Sequence, residues 1–372
     1  MNKNIKITVG AIILVLIFVG MVYYRQKPGK ADSIEIGSIL ILSGQGASWG
    51  EAARNGINLA VNEINSRGGI LGKRLAVNYQ DDGGDPTKSV SAFRELTAVN
   101  KIKYIIGTSW SVTGLPLVNL AKEKKVVMIS PSLGVKEFNE ANDYLFNTWP
   151  HDYILSQNLA EYVYQQGKRH AALLGANDDP WVVAQTNAFK SKFEELGGKV
   201  DLVFQPLTTD KDVKTYAIQV KNNGLIDAVV MTTDGYDLTD FYAKALYQFS
   251  VQKPIYSITL DNQIINNCGQ ACEGLMFLTF LTPTSEFQTK YKNLYNQKVG
   301  ISADSAYDAV MMLAQAMTDA KSTDPDIVKN YLANIQTYSG ASGNLTSDGK
   351  RGFTKDYKTM IIKNGVPVEA QP

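Results

Sequence analysis

Short apolar runs alternate with helical stretches from Ile34 to Ile258, and this alternation leaves the chain few folds to choose from. Strands are read at Ile34–Leu42, Arg74–Tyr79, Tyr104–Ile106 and Val126–Ile129. Between them Gly50–Ser66, Pro86–Val99 and Gly114–Glu123 read as helices. The first carries Ala53, Ile57, Ala60 and Ile64 on one face at three-to-four spacing. Strands that are apolar throughout are buried on both faces, which implies a parallel sheet with helices on either side. The rhythm restarts after Pro150. Helices Ser156–Gln166, Val183–Leu196, Val213–Asn223 and Thr239–Phe249 alternate with strands His170–Leu174, Val200–Gln205, Ala228–Thr232 and Ile255–Ile258. Ser285–Tyr295, Ser302–Ala320 and Asp326–Asn334 read as further helices, and Gly352–Ile362 as strands of a late hairpin. The expected fold class is α/β, with two doubly wound parallel-sheet units.

Ahead of the first strand lies the uncharged run Ile7–Tyr24, ITVGAIILVLIFVGMVYY. Its length is near the lower limit for a helix that spans a bilayer. A cleavable signal peptide ends in small residues, and Tyr23 and Tyr24 fit such a site poorly. No cysteine follows for lipid attachment. The reading is an uncleaved signal anchor: residues 1–6 a cytoplasmic tip, 7–24 a transmembrane helix, 25–33 a polar linker, and the rest extracytoplasmic. A cleaved signal peptide is the alternative. In the anchored case Tyr23, Tyr24 and Arg25 sit at the membrane interface.

Composition narrows the chemistry. The 372 residues suggest about two domains. A formal charge of +1 argues against a nucleic-acid partner, which calls for a basic face. Two histidines and two cysteines leave little for a zinc site or a histidine-based catalytic set. Gly44, Gly46 and Gly50 have the wrong spacing for a dinucleotide loop, and no P-loop occurs. No metal, cofactor or catalytic residues are expected. His170 opens a strand and reads as structural. His151 lies at the junction of the two halves, where it either lines a cleft or packs. Cys268 and Cys272 read as a short-loop disulfide in an extracytoplasmic chain, with a pair of partly buried free thiols as the other reading.

In a doubly wound sheet ligands bind at the carboxyl ends of the strands. The loops at issue are Ser43–Gly50, Asp81–Asp85, Gly107–Gly114, Ser130–Val135, Gly175–Trp181, Thr233–Asp237 and Thr259–Gln263. Trp49, Trp110 and Trp181 fall in them. Trp149 precedes Pro150 at the junction and suits either packing or the cleft. Together these rings suggest a stacking cleft with a few polar anchors.

The stretch IEIGSILILSGQGASWGEAARNGINLAVNEINSRGGILGKRLAVNYQDDGGDPTKSV, continued by YIIGTSWSVTGLP and VVMISPS, resembles the extracytoplasmic solute-binding proteins of the branched-chain amino acid (Leu/Ile/Val-binding) ABC transporter family. Its most specific marks are Ile64–Gly72 and Asp81-Asp-x-x-Asp-Pro86. The resemblance implies a type I periplasmic binding protein: two lobes joined by three crossovers, with solute held in the cleft by hinge closure. The crossovers map to Thr148–Pro150, about Leu275–Thr279 and about Gly343–Thr346. One lobe then comprises 34–148 and 279–343, and the other 149–278 and 344–372.

By the same resemblance Ser111 hydrogen-bonds a ligand carboxylate, with Thr113 two residues on, and Ser132 is a second contact. Gly134 stands where the amino-acid binders have threonine, which suggests a wider site. Trp181 matches the aromatic residue of the second lobe, and the family's second tyrosine falls near Asp234–Tyr236. The acid that receives the ligand's ammonium maps to Thr259–Asp261, with Asp178, Asp179, Asp234 and Asp237 as substitutes. The function implied is the receptor of an ABC importer, partnered by permease subunits and taking a small polar solute. Amino acids come first, then aromatic acids and small amides. A sensor ectodomain is the alternative. An enzyme on this scaffold is the third, with no legible nucleophile–base pair.

Overall fold

The computed structural model describes residues 33–233, 238–260 and 262–370. The expected anchor at 7–24 lies outside the described residues. Among the described residues no helix is long and apolar enough to cross a membrane.

Two Rossmann-like sheets carry the molecule. In the first, β1 (Ser33–Leu40), β2 (Arg74–Asp81), β3 (Tyr104–Gly107), β4 (Val127–Ser130) and β5 (Leu145–Asn147) run parallel in the order β2-β1-β3-β4-β5. The second holds β6 (His170–Leu174), β7 (Lys199–Phe204), β8 (Ala228–Met231), β9 (Ile255–Ile258) and β10 (Met276–Phe280). A third, small sheet is formed by β11 (Thr337–Gly340), β12 (Gly343–Ser347) and β13 (Phe353–Thr354). The chain then returns to the second sheet with β14 (Tyr357–Lys363) and β15 (Val366–Glu369), so its order is β15-β14-β10-β9-β8-β6-β7. In each large sheet the strand order reverses beside the first strand of its lobe, β1 or β6. That is the switch point at which loops on the two sides diverge and leave a crevice.

The helices form for local reasons. Asp85, Asp179 and Asp324 each cap a helix whose first residue is proline, and each accepts hydrogen bonds from the next two backbone amides. Proline at that position loses no intrahelical bond, and the carboxylate satisfies otherwise orphaned donors. Helices Ala47–Ser66 and Ala303–Asp319 cover one face of the first sheet. They bury Ala53, Ile57, Ala60, Ala306, Val310 and Leu313 with Ile36, Ile106 and Ile129 beneath. Each fully buried Ile or Leu contributes about 1.5–3 kcal/mol. Leu96, Leu117, Met128 and Phe138 fill the opposite face. The second sheet is clad in the same way on both sides.

Sequence reading and structure part at the hinge. β10 pairs with β9 and β14 in the second sheet, so the second crossover is at 281–284 and not at 275–279. Leu345 and Phe353 are buried in the first lobe's core. Asp308 of that lobe accepts hydrogen bonds from the amides of Ala341 (2.7 Å) and Ser342 (2.8 Å), which pins the β11–β12 turn to it. The third crossover is therefore at 355–356 and not at 343–346. The two later crossings touch, Leu281 N donating to Asp356 O at 3.0 Å. The late hairpin is β14–β15, turned at Asn364-Gly365. Both residues have positive φ, as a tight hairpin turn requires. The expected hairpin at 352–362 is divided, because β13 pairs with β12 while β14 joins the other sheet.

Candidate functional site

The loops after β1, β3 and β4 and the first crossover meet the loops after β6 and β9 in one pocket. Its walls are Trp49, Trp110, Ser111, Ser132, Trp149, Asp152, Asp179, Trp181 and Thr259, around a cavity of about 30 Å3. Ser111 and Trp110 are there because β3 ends at Gly107 and the next helix starts at Ser111. The Trp110 ring lies against Gly46, where a Cβ would stand 2.4 Å from Cζ2. Trp49 sits in the first turn of its helix and Trp181 in the first turn of Pro180–Glu195.

Asp152 organises the second lobe's wall. It opens the helix Asp152–Gln165 just past the first crossover. Its Oδ2 accepts both the Trp149 Nε1–H (2.9 Å) and the Trp181 Nε1–H (2.8 Å). Its Oδ1 is buried without a hydrogen-bond partner. Burial pushes the carboxyl up to about 6, against the two indole donors, which favour the charged form. Asp179 is also pushed upward by burial, although it accepts from the amides of Trp181 (2.7 Å) and Val182 (3.4 Å). Thr259 Oγ1 is a second buried oxygen without a partner.

The sequence-derived residues sort as follows. Trp49, Trp110, Ser111, Ser132 and Trp181 come together in the pocket. Ser132 Oγ donates to Ser109 O at 2.6 Å, so it offers the pocket lone pairs and not a proton. Thr113 lies outside the wall: it is buried and its hydroxyl donates to Trp110 O at 3.0 Å. Asp178 is occupied in an exposed turn, accepting from Thr208 N and Oγ1. Asp234, Tyr236, Asp237 and Asp261 lie outside the described residues. Gly134 does not widen the site. A Cβ there would stand 1.9 Å from Asp152 Oδ2 and 2.7 Å from Trp181 Nε1, so the space of a side chain is filled by this pair.

Sequence reasoning missed Asp152 as an anchor. Its signal was present as the one acid in the first turn after Trp149-Pro150-His151, but such residues are usually helix caps. The histidines are structural. His151 Nε2 is 2.9 Å from Asp348 Oδ2, and His170 Nδ1 is 2.6 Å from Asp201 Oδ2 at a bulge in β6–β7. Gly46-Ala47-Ser48-Trp49-Gly50 spells a G-x-S-x-G pattern, yet both histidines are engaged with these aspartates and neither serves Ser48 as a base. Cys268 and Cys272 are joined in a disulfide, buried against the second lobe's core.

Two facing α/β lobes with a ring-lined crevice at their switch points define a class of two-lobed solute binders. The chain belongs to the periplasmic binding protein family, whose model matches residues 33–364. A Leu/Ile/Val-binding protein of Rhizobium johnstonii is 27% identical over 191 residues, 51% of this chain and 52% of the relative, so the match spans about half of that protein. A leucine-binding protein structure from Thermotoga maritima superposes with a TM-score of 0.82 at 23% identity, covering 91% of this chain and 98% of the other. A solute-binding protein of an ABC transporter from R. palustris, in complex with 4-hydroxybenzoate, superposes with a TM-score of 0.81 at 19% identity, over 92% and 96% of the two chains.

Proposed function

We propose that the chain is the solute receptor of an ABC importer and that it holds an amino acid in the tryptophan pocket. Asp152 Oδ1 carries this reading. A carboxylate oxygen buried without a partner is costly unless a cation or donor meets it. An α-ammonium supplies both. On the opposite wall Ser111 offers a hydroxyl to the α-carboxylate. The pocket is small in this arrangement, about 30 Å3, so the lobes must part to admit a solute and then close around it at a wider setting than this one. Permease subunits then receive it. The run Ile7–Tyr24 is the proposed anchor, with the lobes outside the cytoplasm.

A second reading, an aromatic carboxylic acid, is favoured by the four indoles and by the neighbour holding 4-hydroxybenzoate. It requires a neutral, protonated Asp152. Titration of intrinsic tryptophan fluorescence with amino acids and with benzoates separates the two. The amino-acid reading predicts saturable changes with amino acids. It fails if only benzoates produce them.

A further inference from the structure

A second cavity of about 410 Å3 adjoins the tryptophan pocket and shares Trp49, Trp149 and Thr259 with it. That volume lies within the range of small-molecule sites. All three crossing segments contribute to its wall, through Trp149, Leu281 and Lys355. Facing it is a buried ion pair, Lys355 from the third crossover and Asp304 from the first turn of Ala303–Asp319. Nζ and Oδ2 are 3.7 Å apart, with both side chains 8% exposed. At that separation no hydrogen bond joins them. Lys355 also donates to Ser342 O at 3.2 Å. An ammonium has three donors and a carboxylate only acceptors, so the pair retains hydrogen-bonding capacity of both signs toward the cavity.

We infer that this cavity receives the solute's side chain and selects one that ends in a carboxamide, its carbonyl accepting from Lys355 and its NH2 donating to Asp304. The inference rests on the reading that the tryptophan pocket holds the amino-acid head group. A branched apolar side chain would strip water from both charges and return no hydrogen bond. A terminal carboxylate would meet Asp304, and a terminal ammonium Lys355, as like charges. Of these four end groups the carboxamide is the one that gives each partner a hydrogen bond and leaves the net charge of the cavity unchanged.

Calorimetric titration of the full chain with glutamine, leucine, glutamate and lysine tests this. Glutamine is expected to bind at least about tenfold tighter than each of the others, because a site built on hydrogen bonds rejects analogues that lack them. The double variant Asp304→Ala/Lys355→Met is expected to lose that preference and to favour leucine. If it fails to fold, Asp304→Asn, which keeps the shape, is expected to reduce the glutamine preference. Leucine binding as tightly as glutamine, or variants that keep the glutamine preference, would overturn the inference while leaving the amino-acid reading intact. Failure of all four solutes to bind would remove the amino-acid reading and the inference with it.

Discussion

The two walls of the tryptophan pocket are made alike and charged differently. Each draws on loops at the carboxyl ends of parallel strands, joined on the second side by the first crossover, and each supplies indole rings. The first lobe adds the neutral hydroxyls of Ser111 and Ser132. The second adds the carboxyls of Asp152 and Asp179, both pushed upward by burial. The fold therefore decides where a pocket forms, and in the proposed reading a few side chains decide which end of a solute each wall receives. The contrast is sharpest at Gly134, where the first lobe yields its side-chain space so that Asp152 and Trp181 of the second can occupy it.

The largest effect that could break this contrast is Asp152→Asn. It should weaken amino-acid binding about 100-fold, or about 2.7 kcal/mol, as expected for losing a charge-assisted bond to an ammonium. Titration calorimetry reads the change, and an unchanged Kd would return Asp152 to a purely structural role. The same variant has a pH signature in stability. The Asp152 carboxyl is at about 6 in the folded chain and about 3.9 unfolded. Between those values the folded state binds more protons, so this group's contribution falls as pH rises through that window. Relative to Asp152→Asn, the wild type should lose melting temperature from about pH 4 to 6 and no further above it.

Gly134→Ala comes next. The new methyl must displace Asp152 or Trp181, and overpacking of this kind costs about 1–3 kcal/mol. Thermal unfolding should show the loss, and amino-acid affinity should fall with it. An unperturbed variant would mean that the two lobes do not approach as described. Ser111→Ala removes a single hydroxyl and should weaken binding by about 1 kcal/mol, read as a severalfold higher Kd with an unchanged melting temperature. Asp178→Asn is the smallest change. Its carboxylate is held by Thr208 in an exposed turn and is not part of the pocket wall, so stability should stay within about 0.5 kcal/mol and Kd should change least of the set.

Much of the fold was legible because period and chemistry agree. Fully apolar runs such as Tyr104–Ile106, short and set between helical stretches, read as buried strands, and Ala53, Ile57 and Ala60 mark a helix face. The hinge was harder. β12 and β13, rich in Gly, Asn and Thr, carry no alternation, and what ties them to the first lobe is long-range: burial of Leu345 and Phe353 in its core and the Ala341 and Ser342 amides donating to Asp308. The Asn364-Gly365 turn between β14 and β15 is the kind of hairpin signal a sequence carries directly. Of the residues that line the pocket, loop position pointed to Trp49, Trp110 and Trp181, and the family resemblance to Ser111 and Ser132. Asp152 was not legible because its role comes from contacts with Trp149 and Trp181, the latter 29 residues away in the chain. Gly134 suggested open space, since sequence shows a missing side chain and not the neighbour that fills its place.

The charge assignment is tested most directly by the pH dependence of amino-acid affinity. Binding that relies on an ionised Asp152 should hold constant above about pH 7 and weaken by up to tenfold per unit below about pH 6, with Asp152→Asn showing a flat profile. Affinity for an amino acid that stays constant, or strengthens, from pH 7 to 5 would contradict the assignment of the ammonium to the second lobe.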